Sequence, residues 1–282
     1  MKDEEIMTPE DYTDPQCPFC ADQYKSEQVK SVPIGRIVEK ADEYFSRNDY
    51  DGAERHLLYW LKEAEIGNDD RGAFAVLNEL MGIYRKTGKK QEALDAVVRT
   101  LALIEKLGIT KEVAGGTAYV NIGTVYKSFD MSGEALPYFE KAVTIYENAE
   151  DKDGLIGYYK LGGLYNNMAL AQVDLKMFDE AKINYKKALD IVENAPNGEL
   201  EAAVTYLNMA NLAEAEKGLE DAADKIAELL DITEKLLDKE GVPRDGYYAF
   251  VCEKCAPTFA YYGYFAFAAE LERRAKDIYE RS

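Results

Sequence analysis

Histidine is almost absent: His56 stands alone among 282 residues. A His-x-x-x-His metal pair therefore cannot form, and His56, next to Arg55, has no local support for a Ser-His-Asp arrangement. No Gly-rich phosphate loop occurs. Gly115-Gly116 and Gly162-Gly163 lack a preceding strand and a following Lys-Ser or Lys-Thr. Carboxylates are too numerous for any two to be singled out as acid and base. The chain reads as non-catalytic, with no cofactor called for.

Positive charge is also scarce. Against 53 acidic residues stand 34 basic ones, a formal charge of −19. Such a surface repels nucleic acid, which is bound mainly by neutralising phosphates, and it disfavours anionic membranes. No apolar run approaches the ~18 residues of a membrane-spanning helix. The opening Met1-Lys2-Asp3-Glu4-Glu5 lacks the basic flank and apolar stretch of a secretory signal, so a cytoplasmic protein is expected. With only 8 Pro, and with Ala, Leu, Glu, Lys and Tyr dominant, the composition favours helix.

What is present in quantity is repetition. A small residue, an aromatic three later, a turn, then Ala followed four residues on by a bulky side chain recurs along the chain. The clearest copy joins Tyr119, Gly123 and Tyr126 to Ala135, Phe139 and Ala142. Another holds Leu77, Leu80, Met81 and Tyr84, the turn at Gly88, then Ala93 and Val97. A third holds Tyr165, Met168, Ala169 and Gln172, then Phe178, Ala181, Tyr185 and Ala188. Fainter copies flank these around Ala53, Ala222 and Ala268, so the alanines that open each second helix fall at 53, 93, 135, 181, 222 and 268. Small residues let helix axes approach to about 8–10 Å, and bulky ones fill the space beside each crossing.

This pattern resembles the tetratricopeptide repeat family, in a variety with helices longer than its usual repeat. The resemblance implies an all-α, right-handed superhelical α-solenoid of about six helical hairpins, at 33–67, 70–108, 111–149, 153–194, 198–240 and 246–281. Residues 1–32, acidic and holding Pro9, Pro15 and Pro18, read as a partly ordered arm. The charged last helix, with Glu270, Glu272, Arg273 and Lys276, reads as a polar cap. Pro257 falls inside a first helix, where a kink is expected.

Four cysteines form two Cys-x-x-Cys pairs, Cys17/Cys20 and Cys252/Cys255. Two such pairs satisfy the ligand count of a tetrahedral zinc site. Register opposes it: Cys252 and Cys255 fall where Tyr119 and Ile122 fall, facing a neighbouring helix as small buried groups. A redox dithiol would need a strand-to-helix context that is not visible.

Asn recurs two residues after the aromatic anchor of successive first helices: Asn121, Asn167 and Asn208, with Asn78 and Asn166 one residue off that row and Asn211 a turn further on. Asn is a weak helix former, so its recurrence calls for a reason. A carboxamide offers both a donor and an acceptor, the complement of a peptide backbone. The row resembles the asparagine ladder by which some tetratricopeptide and armadillo proteins hold an extended chain, with Arg85, Lys127, Asp174 and Glu214 beside it. The alternative is that these amides bridge neighbouring helices. The first functional reading is an adaptor that binds a protein or peptide segment. A peptide-sensing regulator is the second, and a zinc or redox protein the third. A second copy of the chain is a further candidate partner, through the aromatic run Tyr261–Phe267, although a place in the last hairpin's core is the simpler expectation for those rings. If the row grips a partner, replacing Asn121, Asn167 and Asn208 together by Ala should abolish capture and leave helicity and melting temperature near wild type.

Overall fold

A computed structural model describes residues 30–149 and 160–281. The Cys17/Cys20 pair, most of the acidic arm and the expected start of a helix at 153 lie outside the described residues.

Twelve helices and no strand occur among the described residues, an all-α helical repeat fold. They are α1 (Ile34–Ser46), α2 (Tyr50–Ile66), α3 (Asp70–Thr87), α4 (Lys90–Leu107), α5 (Val113–Ser128), α6 (Ser132–Glu147), α7 (Gly162–Asp174), α8 (Phe178–Val192), α9 (Glu199–Lys217), α10 (Leu219–Asp238), α11 (Gly246–Tyr261) and α12 (Phe265–Tyr279). No helix among them is long and apolar enough to cross a membrane. Two compact units divide the chain between Met131 and Ser132.

One local device recurs at every second helix. Ala53, Ala93, Ala135, Ala181, Ala222 and Ala268 are each the fourth residue of α2, α4, α6, α8, α10 and α12, and none is more than 4% exposed. A methyl group is all that fits there, so the facing helix comes close. Four residues on, Leu57, Val97, Phe139, Tyr185 and Ile226 are buried in their turn. The last helix departs from the rule: Glu272 is exposed and Leu271 enters the core instead. Its outer face is charged, with Arg273 bridging Glu270 at 2.8 Å and Asp277 at 2.7 Å.

The turn before each second helix is equally regular. Asn48, Gly88, Asp130, Lys176, Gly218 and Gly263 all take positive φ there. That conformation reverses the chain within three residues and suits Gly, Asn and Asp. Lys176, at φ 60°, is the costly member of the set. Side chains also start helices where the chain must be anchored. Asp49 accepts from Gly52 N–H, Asp245 accepts from Tyr247 and Tyr248 N–H, and buried Asp69 caps α3 while also holding Val32 N–H at 2.9 Å.

Within the first unit α1 packs on α2 and α3, α3 on α4, and α5 on α3. Within the second, α7 packs on α8, α9 on α10, and α11 on α12, while α9 also meets α7 and α11. First helices thus lie side by side in each unit. Two bonds in the second unit pin a first helix to the end of the preceding second helix: Tyr165 donates to Glu147 and Tyr206 donates to Glu193 at 2.9 Å. The helix α11 runs unbroken through Pro257, whose ring lies on the exposed side where the carbonyl it leaves unbonded meets water.

Replacing Lys176 by Gly should raise stability by about 0.5–1 kcal/mol, the relief of the left-handed backbone less the extra chain entropy of Gly. Gly88→Ala should lower it by about 1 kcal/mol. Thermal melts of the two variants check both signs.

Candidate functional site

The asparagines meet in pairs, one pair in each unit. In the first unit Asn121 Nδ2 on α5 donates to Asn78 Oδ1 on α3 at 3.0 Å. Asn78 Nδ2 in turn donates to the Phe74 carbonyl at 2.8 Å. In the second unit Asn208 Nδ2 on α9 donates to Asn166 Oδ1 on α7 at 3.1 Å, and Asn166 Nδ2 donates to Thr205 Oγ1 at 2.6 Å. Thr205 passes its proton on to the Glu201 carbonyl at 2.9 Å.

These chains fix the amide orientations. A carbonyl accepts only, so the group of Asn78 facing Phe74 must be nitrogen, and its oxygen must face Asn121. Thr205 has spent its proton on Glu201, so Asn166 must present nitrogen to it. Each relay therefore begins at Asn121 or Asn208. Both residues are half-buried, and each keeps an Oδ1 and one N–H with no partner among the described residues.

One member of the row stands apart. The amide that meets Asn208 is that of Asn166, 9% exposed, while Asn167, one residue on, makes no side-chain hydrogen bond among the described residues. Each bond joins a row member, Asn121 or Asn208, to the residue one off the row on the neighbouring first helix, Asn78 or Asn166. The spacing offered a signal, since 78 to 121 and 166 to 208 differ by one residue only.

The other candidates distribute as follows. Asn211 lies 3.1 Å from the Tyr262 hydroxyl, which donates to Glu214 Oε2 at 2.7 Å, while Tyr261 donates to Glu214 Oε1 at 2.6 Å. That carboxylate is clamped by two phenols inside the second unit. Asp174 accepts from Ser132 Oγ at 2.6 Å. Lys127 is half-buried in the last turn of α5. Arg85 is exposed, and desolvation by the protein around its guanidinium lowers its pKa. Glu79, one residue from Asn78, has its pKa raised by burial first and by Asp42 second.

Cys252 and Cys255 are fully buried free thiols in the core around α11, as their register predicts. Burial pushes them up to about 11 and about 12, so both stay protonated at neutral pH. Among the described residues, no group of three or more His, Cys, Asp or Glu is placed to hold a metal. The His56 imidazole is half-buried, with Nε2 3.1 Å from the Ile37 carbonyl, and burial lowers its pKa, a setting that ties α2 to α1. The aromatic run corrects another expectation: Tyr261 and Phe265 are 65% and 70% exposed, and Tyr264 is exposed too, because they flank the turn between α11 and α12. Tyr262 and Phe267 pack partly against the core, and Tyr264 meets the buried Phe259 edge-on with ring centres 6.0 Å apart.

Two family models described as tetratricopeptide repeat match the chain, at residues 72–148 and 162–194. The outer dynein arm-docking complex subunit 4 of Mus musculus is 25% identical over 189 residues, which is 67% of this chain and 26% of that protein. The chain thus spans only 26% of that curated relative's length. Among solved structures, BtubC (BKLC) from P. vanneervenii superposes with a TM-score of 0.61 at 17% identity, covering 75% of this chain and 84% of its own. That likeness is one of fold.

Asn121→Ala and Asn208→Ala should each lower stability by about 0.5–1.5 kcal/mol, because each removes a bond between neighbouring helices, whereas Asn167→Ala should change it by less than about 0.5 kcal/mol. Chemical denaturation of the three single variants separates these outcomes. For the thiols, alkylation at about pH 8 followed by peptide mass mapping should leave Cys252 and Cys255 unmodified in the native chain and fully modified in denaturant.

Proposed function

This chain is a tetratricopeptide-repeat protein, and from that premise we propose that it is a non-catalytic adaptor that holds an extended segment of a partner protein along its first helices. Repeats of this kind serve protein–protein contact. The observation that carries the finer reading is the pair of amide relays. Each ends in a side chain, Asn121 or Asn208, that is fixed from behind by its neighbour and still offers an acceptor and a donor.

An amide held in one orientation loses little entropy when it bonds a peptide, so each such bond contributes toward the upper part of the usual 0.5–1.5 kcal/mol range. Bridging neighbouring helices and gripping a backbone are therefore compatible roles. The bridge supplies the orientation, and the unused oxygen and N–H supply the grip. In each unit the amide gives register and a weak hold. Selectivity would come from side chains the sequence puts beside the row, Arg85 and Lys127 in the first unit and Asp174 in the second, while Glu214 is held by its two phenols.

A library of random linear peptides displayed on phage, panned on the full chain, tests this reading. Peptides recovered on the wild type should bind the Asn121→Ala/Asn208→Ala variant at least about tenfold more weakly at a temperature well below its melting point, and bind Asn167→Ala unchanged. Equal binding to all three proteins would rule out the amide grip.

A further inference from the structure

A second constellation lies in the second unit, where the first turns of α9 and α11 meet. Tyr247 and Phe250 on α11 are each 45% exposed, with rings stacked 6.2 Å apart at 24°. Two large rings half in water, on a helix whose opposite face is fully buried, are not explained by packing of the core. Behind them stands Glu201 of α9, close enough to the Tyr247 phenol to raise its pKa, with its Oε2 buried and without a hydrogen-bond partner among the described residues. Burial, and then Glu201, raise the pKa of the phenol, so it stays neutral. The Lys254 ammonium lies 5.4 Å from the centre of the Phe250 ring.

The physical consequence is a face selective for positive charge. Aromatic rings present negative electron density at their faces, and a carboxylate close to one of them makes the local potential more negative. The chain's own Lys254 beside Phe250 is an internal instance of the contact. The surroundings act in the same direction, since the whole chain carries −19. A second copy of the chain would bring a like charge, and an acidic segment would meet Glu201.

We propose that the Tyr247–Phe250 pair, backed by Glu201, is a subsite for a cationic side chain, an arginine guanidinium, carried by the partner segment. A guanidinium is preferred over an ammonium because it is planar and stacks on rings while its edges keep their hydrogen bonds. The subsite rests on the adaptor reading, because it takes a partner lying along the first helices. It adds the chemistry of one partner residue to that reading.

The test uses dye-labelled Gly-Ser peptides with a central Arg-Arg, Lys-Lys or Glu-Glu pair, titrated with the full chain at physiological ionic strength and read by fluorescence anisotropy. The Arg-Arg peptide should bind most tightly, and Tyr247→Ala/Phe250→Ala should weaken it by at least about fivefold. Glu272→Gln, which removes an exposed charge on α12, should leave it unchanged and so separates the subsite from general attraction to an acidic surface. Because both rings are half exposed, circular dichroism of the double variant should match wild type. Undetectable Arg-Arg binding, equal binding by the double variant, or equal binding of the Glu-Glu peptide would overturn the proposal. If amide-dependent binding of selected peptides persists while the ring dependence fails, the subsite alone falls. If ring dependence persists while the Asn variants bind normally, only the amide grip falls.

Discussion

Everything in this molecule follows from how closely its helices approach one another. Six alanines, each at the fourth position of a second helix, leave no side chain between the crossing backbones. A larger residue there would force the axes apart by a substantial part of the 8–10 Å that separates packed helices. Close crossing has a second effect that is functional. Asparagine is a short side chain, and two of them join across neighbouring first helices at 3.0 and 3.1 Å only because those helices lie so near. The repeat spacing and the amide pairs are thus one constraint seen at two places. The same closeness brings Tyr206 within reach of Glu193, which ties α9 to the end of α8.

Much of this was legible in the sequence, and what was not has identifiable causes. The alanine markers predicted the second helices because a methyl-sized residue at a crossing has no substitute of similar shape. The buried thiols at Cys252 and Cys255 followed from the same register. Lys176 gave no sign of its left-handed backbone, since nothing in a lysine announces positive φ, whereas Gly88 did. Asn167 shares the register of Asn121 and Asn208, and the count from an aromatic anchor could not show that the amide bonds run to the residue one off that row, Asn78 or Asn166. The exposed rings of Tyr261, Tyr264 and Phe265 were expected in the core. A run of aromatics looks like core until the turn that carries it is located. The Tyr247–Glu201 contact was invisible because it joins residues of two hairpins across an offset no single-chain pattern reports.

The functional account divides between the two units in a consistent way. Each presents an amide whose back is fixed by a neighbouring helix and whose front is unused. The second unit adds an aromatic pair with a carboxylate behind it. Neutral amides recognise any backbone and so give register without selectivity, while a cation-selective face discriminates between partners. An acidic chain with both features is suited to a partner that is extended and locally basic. The fully buried thiols and half-buried His56 are accounted for by packing, and the account assigns no chemistry to them.

The most direct measurement is nuclear magnetic resonance of the chain labelled with nitrogen-15 at asparagine, recorded before and after addition of a peptide selected on the wild type. If the grip is as described, the side-chain amide signals of Asn121 and Asn208 move as the peptide saturates, and the signal of Asn167 stays where it was. Shifts confined to other positions, with Asn121 and Asn208 unmoved at saturation, would contradict it.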